Sequence, residues 1–312
     1  MPPTPSLQFS PATPGDAEAV FALQAAQNTA EIGEPDVTVE DVRVSWSDPD
    51  LDLSADTWLA FMVDGSAAGY ACISARTRGV DFDGEVWVHP TAADAIHDEL
   101  LARLLERAAA RATRAGAALH VYCLSQSVRR ATALARAGFA IVRVVRRMRV
   151  DLPDAAPAAV DWPEGYTVRA IRRPEDDADW VATINASFAG HFRAHEESVE
   201  AWNSKLAERS SFDPALFPVV ERGGRIVAVA EAYDFGDIGW IQRLGVLAAD
   251  RGHGVGRALL LDAFARFHER GQRRVELGVD TDNATGAVRL YESAGMRAVH
   301  RYDLWRRELA LA

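Results

Sequence analysis

Apolar and polar positions are patterned along nearly the whole chain, and the pattern predicts a run of alternating strands and helices. In the second half, residues 166–171 alternate as a strand, and 176–188 and 197–207 carry a helical period. Residues 217–221 and 225–233 read as a hairpin turning through Gly223-Gly224. A strand is expected over 238–246. A helix is expected over 256–270, with Leu259, Leu260, Ala263, Phe264 and Phe267 on one side and Gly271 as its stop. A strand at 275–279, a helix at 285–294 stopped at Gly295, and a strand at 296–306 complete the half.

The first half repeats the order. Strands are expected at 7–9, 58–63, 68–74, 85–89, 119–123 and 139–150. Helices are expected at 16–27, 39–46, 95–115 (stopped at Gly116) and 128–137 (stopped at Gly138). The tails of the halves match best: LARAGFAIVRVVRRMRV against LYESAGMRAVHRYDLWR, with one residue of slack. The implied period of about 157 residues is too long for a solenoid repeat. Residues 151–165 are rich in Pro and Ala and lack periodicity. The expectation is therefore an α+β protein of two similar domains, 1–152 and 165–312, joined by a linker at 153–164. Each domain would be a mixed, mostly antiparallel sheet flanked by helices.

Composition agrees with that division. The chain has 312 residues, against roughly 100–200 per domain. Its 48% hydrophobic and 25% charged residues are ordinary for a globular fold. No apolar run reaches the roughly 18 residues of a membrane span. Met1-Pro2-Pro3-Thr4-Pro5 lacks the basic and apolar regions of a signal peptide. Two cysteines are too few for a disulfide framework or a zinc cluster, and no metal site is expected. A soluble cytoplasmic protein with no membrane partner follows; the oligomeric state stays open.

Charge adds one asymmetry. Acids outnumber bases 45 to 34, a net −11, which argues against a nucleic-acid partner. Residues 31–56 hold nine acids and one base, and residues 129–149 hold seven arginines and no acid. Solvated faces and ion pairs account for such runs in most proteins. A cationic acceptor would suit the acidic run.

Chemistry concentrates at 241–270, IQRLGVLAADRGHGVGRALLLDAFARFHER. A strand runs into Arg251-Gly252-His253-Gly254-Val255-Gly256, and a helix opens at once. Three alternate glycines allow positive φ and close approach of a ligand, and the amides with the helix dipole make a phosphate or pyrophosphate cradle. No Gly-Lys-Ser/Thr follows, so this is not the triphosphate loop. The spacing also departs from the Gly-x-Gly-x-x-Gly of a dinucleotide fold.

Arg251-x-x-Gly254-x-Gly256-Arg257-Ala258-Leu259-Leu260, preceded by Leu244-Gly245-Val246, resembles the acetyl-CoA-binding motif of the GNAT N-acetyltransferase superfamily. The stretch from Asp282-Asn283-Ala284-Thr285-Gly286 through Tyr291 to Gly295-Met296 resembles its second motif. The resemblance is strong over 238–305 and extends by element order over both halves, as in tandem GNAT proteins such as mycothiol synthase. It implies that Leu244, Gly245 and Val246 pair with the pantetheine arm and that Arg251, Gly252, His253, Gly254, Val255, Gly256 and Arg257 surround the pyrophosphate. It also implies that Asn283 contacts CoA, although it lies eight residues before the tyrosine where seven is usual. Tyr291 corresponds to the tyrosine that commonly protonates the departing thiolate, a task suited to a phenol.

The general base is not legible. Glu231 and Asp234 are the candidates on or just after the strand expected to face the cleft, with Glu276 and Asp280 as others on the strand before the second motif. His191 and His195 lie where acceptor-binding residues occur in the superfamily. Trp240 stands where mycothiol synthases usually carry a glutamate. In the first half the matching stretch, residues 86–101, has no glycine and no arginine between His89 and Leu100, and Leu134 takes the tyrosine position. That domain is expected not to bind acetyl-CoA. The expected function is transfer of an acetyl group from acetyl-CoA to an amine of a small molecule or peptide, by direct attack. Two alternatives stand beside it: a CoA-binding sensor without catalysis, and an acetyltransferase like mycothiol synthase.

Overall fold

β-Branched residues and small apolar residues fill the inward positions of a mixed sheet in each of two compact units. The computed structural model describes residues 8–48, 50–282 and 286–310. One unit spans residues 1–144 together with 302–312, and the other spans 145–301.

The first unit contains α1 (Ala17–Ile32), α2 (Val39–Trp46), the short α3 (Leu53–Asp56), β1 (Thr57–Phe61), β2 (Ala67–Thr77), β3 (Asp81–Val88), α4 (Ala95–Arg111), β4 (Ala118–Leu124) and α5 (Val128–Arg136). β1, β2 and β3 are antiparallel neighbours. β3 then runs parallel to β4 over Asp81–Gly84. A last strand, residues 302–308, pairs antiparallel with β4. The leucines of α4 (Leu100, Leu101, Leu104) pack on Ile73, Phe82 and Val86 of the sheet.

The second unit takes residues 145–151 of β5 (Ala140–Asp151), then β6 (Tyr166–Ala170), α6 (Asp177–Phe188), α7 (Val199–Ala207), β7 (Pro218–Arg222), β8 (Arg225–Asp234), β9 (Gly239–Val246), α8 (Val255–Glu269), β10 (Arg274–Asp280) and α9 (Ala287–Ser293). It also holds the start of β11 (Arg297–Glu308), whose later residues 302–308 are the strand paired with β4. The strand order is β5-β10-β9-β8-β7-β6, antiparallel except for β9 beside β10. α8 buries Leu260, Phe264 and Phe267 in the same core as Val275 and Leu277, and Trp180 of α6 stacks on Trp202 of α7 at 4.4 Å between ring centroids. Such a stack adds about 0.5–1.5 kcal/mol beyond the area it buries.

Four expectations need correction. The strand at 7–9 reduces to an isolated bridge between Ser10 and Leu59, and Leu7 lies outside the described residues. The helix expected to reach 115 stops at Arg111, because Ala112 turns to extended backbone (ψ 130) and Thr113 N donates to Gly79 O at 2.9 Å. α3 was not expected; Asp52 caps its four residues by accepting from Ser54 N. The compact units are also not the contiguous spans 1–152 and 165–312, since the strand that follows α5 and the one that follows α9 each cross from one unit to the other.

Candidate active site

β9 and β10 are parallel partners over only three residue pairs, Val275–Gly239 to Leu277–Ile241. β8 stays paired with β9 as far as Val246, with a register shift that leaves Gln242 as an extra residue between Ile241 and Arg243. A bulge of this kind bends a strand and ends pairing on its far side. The two strands separate there, and a cavity of about 390 Å³ opens between them. Its walls are the freed edge of β9 from Ile241 to Val246, the end of α6 with the turn after it, the turn into α8, the end of β10 and one face of α9.

The turn into α8 is built for an anion. Gly252 and Gly254 hold φ of 80° and 84°, a left-handed conformation that is strained for any residue with a Cβ. Among the described residues, the amides of 252–257 donate to no backbone carbonyl or side chain. The N–H groups of Gly252, Gly254, Gly256 and Arg257, residues that line the cavity, are therefore left for a ligand at the positive end of a fifteen-residue helix. Gly245 serves packing: a Cβ there would lie 2.9 Å from the Cβ of Ser187, so its absence lets α6 rest on β9. Ser187 Oγ is buried in the cavity wall with no hydrogen-bond partner among the described residues. An orphaned hydroxyl opposite an unpaired strand edge fits an amide-bearing arm with a diphosphate at its end, the chemistry of CoA.

Leu244, Gly245, Val246, Arg251, Gly252, Gly254, Gly256, Arg257 and Tyr291 all line the cavity. Two residues of the loop do not: Val255 is buried in a neighbouring apolar cluster, and the exposed His253 points elsewhere. Asn283 lies outside the described residues. Arg251 is not in the cradle either; its guanidinium donates to Val246 O (3.0 Å) and Ser187 O (2.8 Å), tying the end of β9 to the end of α6. Tyr291 is 9% exposed, and burial pushes its phenol up to about 12. Among the described residues its hydroxyl has no hydrogen-bond partner. It therefore carries a proton at neutral pH and has no competing acceptor for it.

The carboxylates expected near the chemistry are engaged elsewhere. Glu231 is buried, accepts from Tyr233 Oη at 2.5 Å and pairs with Arg243 at 2.5 Å. Arg243 in turn pairs with Glu197 (2.7 Å), which Lys205 also holds (2.8 Å). Burial works against the Glu197 charge, but Arg243 and Lys205 outweigh it and keep its carboxyl below the usual range. Asp234 accepts from Gln272 Nε2 (2.6 Å) and Gly236 N (2.9 Å) and does not line the cavity. Glu276 is fully buried between Arg147 and Arg149. Trp240 donates to Gln242 Oε1 (2.7 Å) beneath the Arg147 guanidinium. Of the remaining candidates His191 and Asp280 line the cavity, whereas His195 does not. Sequence reasoning missed Ser187, Phe188, Gln242 and Arg243; only the bulge shows that Gln242 sits at the split.

The first unit has the same split with its space filled from within. β3 and β4 pair only as far as Gly84 and Val121. Beyond that point Val88 N donates to Gln27 Oε1 (2.9 Å), and Arg130 Nη1 reaches Val86 O (3.5 Å) while its guanidinium lies 4.9 Å from the Trp87 ring centroid. Glu31 holds Arg130 (3.2 Å) and Ser127. In the turn into α4, Arg129 donates to Pro90 O (2.8 Å), Ala92 O (2.7 Å) and Asp94 (2.6 Å). The acidic run of 31–56 is likewise largely engaged: Asp41 boxes the start of α2 with Thr38, Asp56 pairs with Arg107 and Arg111, and Asp50 pairs with Arg78.

Comparison with known proteins gives the chain its class, that of an N-acetyltransferase. Residues 168–296 match the acetyltransferase (GNAT) family. A GCN5-related N-acetyltransferase from Sphaerobacter thermophilus is similar in structure at a TM-score of 0.81 and 31% identity, over 98% of this chain and 96% of that one. A tandem GNAT protein from the clavulanic acid biosynthesis pathway shares the fold at a TM-score of 0.77 and 17% identity, over 98% and 100%. Among curated relatives, the mycothiol acetyltransferase of Thermomonospora curvata is 33% identical over 76% of this chain and 77% of its own. That of Thermobispora bispora is 32% identical over 91% and 93%. The chain belongs to the GNAT acetyltransferase family, with the tandem architecture of its two-domain members. Among the described residues, no helix is long and apolar enough to cross a membrane.

Proposed function

We propose that the second unit transfers the acetyl group of acetyl-CoA to a primary amine, and that the acceptor is the desacetyl precursor of mycothiol. The observation that carries the reaction is the cavity at the split of β9 and β10, which joins an unpaired strand edge, an amide cradle and the protonated Tyr291. The acceptor rests on the relatives: mycothiol acetyltransferases match at 32–33% over most of both chains. They favour this acceptor over an unspecified amine. Trp240, in place of the glutamate expected in such enzymes, is the feature that favours another acceptor.

In this reading the edge of β9 takes the pantetheine arm as an added strand. The amides of 252–257 hold the diphosphate, with Arg257 alongside. This fixes the thioester near Tyr291, and orientation of this kind supplies much of the rate. Tyr291 Oη gives its proton to the sulfur as the C–S bond breaks, so no free thiolate is expelled. Asn283 is retained as a CoA contact in the proposal, and Glu231 as a positioning residue that holds Arg243 in the wall. The first unit takes no acetyl-CoA, since its own side chains occupy the split and the cradle, and the enzyme works in the cytoplasm.

The test is thiol release from acetyl-CoA over an amine panel that includes the desacetyl precursor. Turnover is expected, with that precursor favoured over simple amines. Preference for a different amine would keep the enzyme and replace the acceptor. Stable CoA binding without turnover on any amine would leave a CoA sensor.

A further inference from the structure

We propose that His191 is the base that takes the proton from the acceptor ammonium; the inference rests on the acetyltransferase reading above. An amine must shed a proton before its lone pair can attack a thioester, so the cavity needs a group able to accept one. Among the described residues, six ionisable side chains line it: Arg243, Arg251, Arg257, Tyr291, Asp280 and His191. The arginines carry fixed charge. Tyr291 holds its proton. The carboxylates outside the wall are bound to arginine or to amides, as described. Asp280 accepts the amide of Asp282 at 2.9 Å, an arrangement that stabilises the turn after β10. That leaves the imidazole.

His191 lies in the turn after α6, where its amide donates to Phe188 O (2.9 Å) and its ring packs on Phe188 at 4.6 Å between centroids. It is half-buried, and among the described residues its ring nitrogens make no hydrogen bond. Two charged groups act on it from the other walls: Arg251 from the turn before α8 and Asp280 from the end of β10. Burial and Arg251 hold its pKa below the usual 6.5, and Asp280 only partly opposes them. At neutral pH the imidazole is therefore uncharged, with a lone pair open to the cavity.

The step balances. An N–H bond of the ammonium breaks and its proton passes to the imidazole. The freed nitrogen lone pair forms the C–N bond at the thioester carbon. The C–S bond breaks with its electron pair on sulfur, which takes the Tyr291 proton. The second nitrogen proton returns to the phenolate through water, and the imidazolium releases its own to solvent. The net products are the amide, the thiol and one proton.

The test uses the full chain with acetyl-CoA and two acceptors, the desacetyl mycothiol precursor and n-butylamine. In His191→Gln and His191→Ala, kcat is expected to fall roughly a hundredfold or more while the acetyl-CoA Kd is unchanged. The wild-type kcat/KM is expected to level off above the histidine ionisation, and the variants' to keep climbing with pH. Added imidazole should restore at least about tenfold to His191→Ala, which a purely structural role would not allow. His191→Asn replaces any variant that fails to bind CoA. Wild-type turnover with kcat in the variants within threefold, an unchanged acid limb, no imidazole rescue, or loss of that limb in Asp280→Asn alone would overturn the assignment and leave the acetyltransferase. A wild type silent on both amines would overturn that reading and this one together.

Discussion

In the second unit, the turn between β9 and α8 lines the cavity with Gly252, Gly254, Gly256 and Arg257, whose N–H groups have no partner among the described residues. In the first unit, the turn between β3 and α4 presents the carbonyls of Pro90 and Ala92, and Arg129 takes both. The same place in a repeated fold is thus set for an anion in one copy and filled by a cation in the other. Glycines at 252 and 254 hold the positive φ that the turn requires; Pro90 supplies no amide at all. The strand edge beside the turn follows suit. Among the described residues Arg251 is the only side chain on Val246 O, whereas Gln27 and Arg130 close the equivalent edge at Val88 and Val86. A turn that lacks the glycines need not leave a hole, because an arginine can supply partners to its carbonyls.

The contrast can be broken at several points. Tyr291→Phe removes the acid while keeping the ring, and kcat should fall about 10²–10⁴-fold with acetyl-CoA affinity kept; steady-state rates and calorimetry check it, and an unchanged kcat removes Tyr291 from the chemistry. Arg130→Met removes a buried guanidinium from the partly buried Glu31, which keeps Ser127 and Gln27, and the first unit should lose about 3 kcal/mol in urea unfolding. If the second unit alone carries acetyl-CoA, its affinity will not move, and a second binding site appearing in that variant would show that the plug had been hiding one.

A third test uses pH. His97, buried at the start of α4 beside Arg129 and Arg130, is held down to about 4, chiefly by burial and then by the two guanidiniums. The unfolded chain protonates this histidine near 6.5 and the folded one near 4, so its contribution is complete above 6.5 and lost as pH falls between the two. The loss should reach about 3 kcal/mol, and urea midpoints for His97→Leu should show a flatter acid limb than wild type. Gly254→Ala forces a Cβ into a φ of 84° at about 1–2 kcal/mol. Acetyl-CoA binding by calorimetry should weaken by about five- to thirtyfold, whereas Ala93→Gly in the other turn should leave it alone.

Much of this was legible in the sequence where the cause is local. The Gly223-Gly224 hairpin, α2 and the loop from Gly252 to Gly256 follow from turn residues, a capping box and spaced glycines. What depends on distant partners was not legible. The alanine-rich end of α4 gives no stop signal, and the carbonyl of Gly79 ends it. The acidic strand residues Glu231 and Asp234 look alike in sequence, and only Arg243 and Gln272 reveal what each one does. A residue that is a base by elimination, such as His191, becomes visible once every rival has been placed.

The exchange of strands carries a consequence for synthesis of the chain. β4 receives its last neighbour from residues 302–308, far downstream of it in the chain. At roughly 5–20 residues per second, a ribosome needs about ten to thirty seconds to travel that interval. Until then the first unit waits with an open edge, the state in which strands pair with strangers. Truncation before residue 302 would therefore injure the part of the protein that was made first.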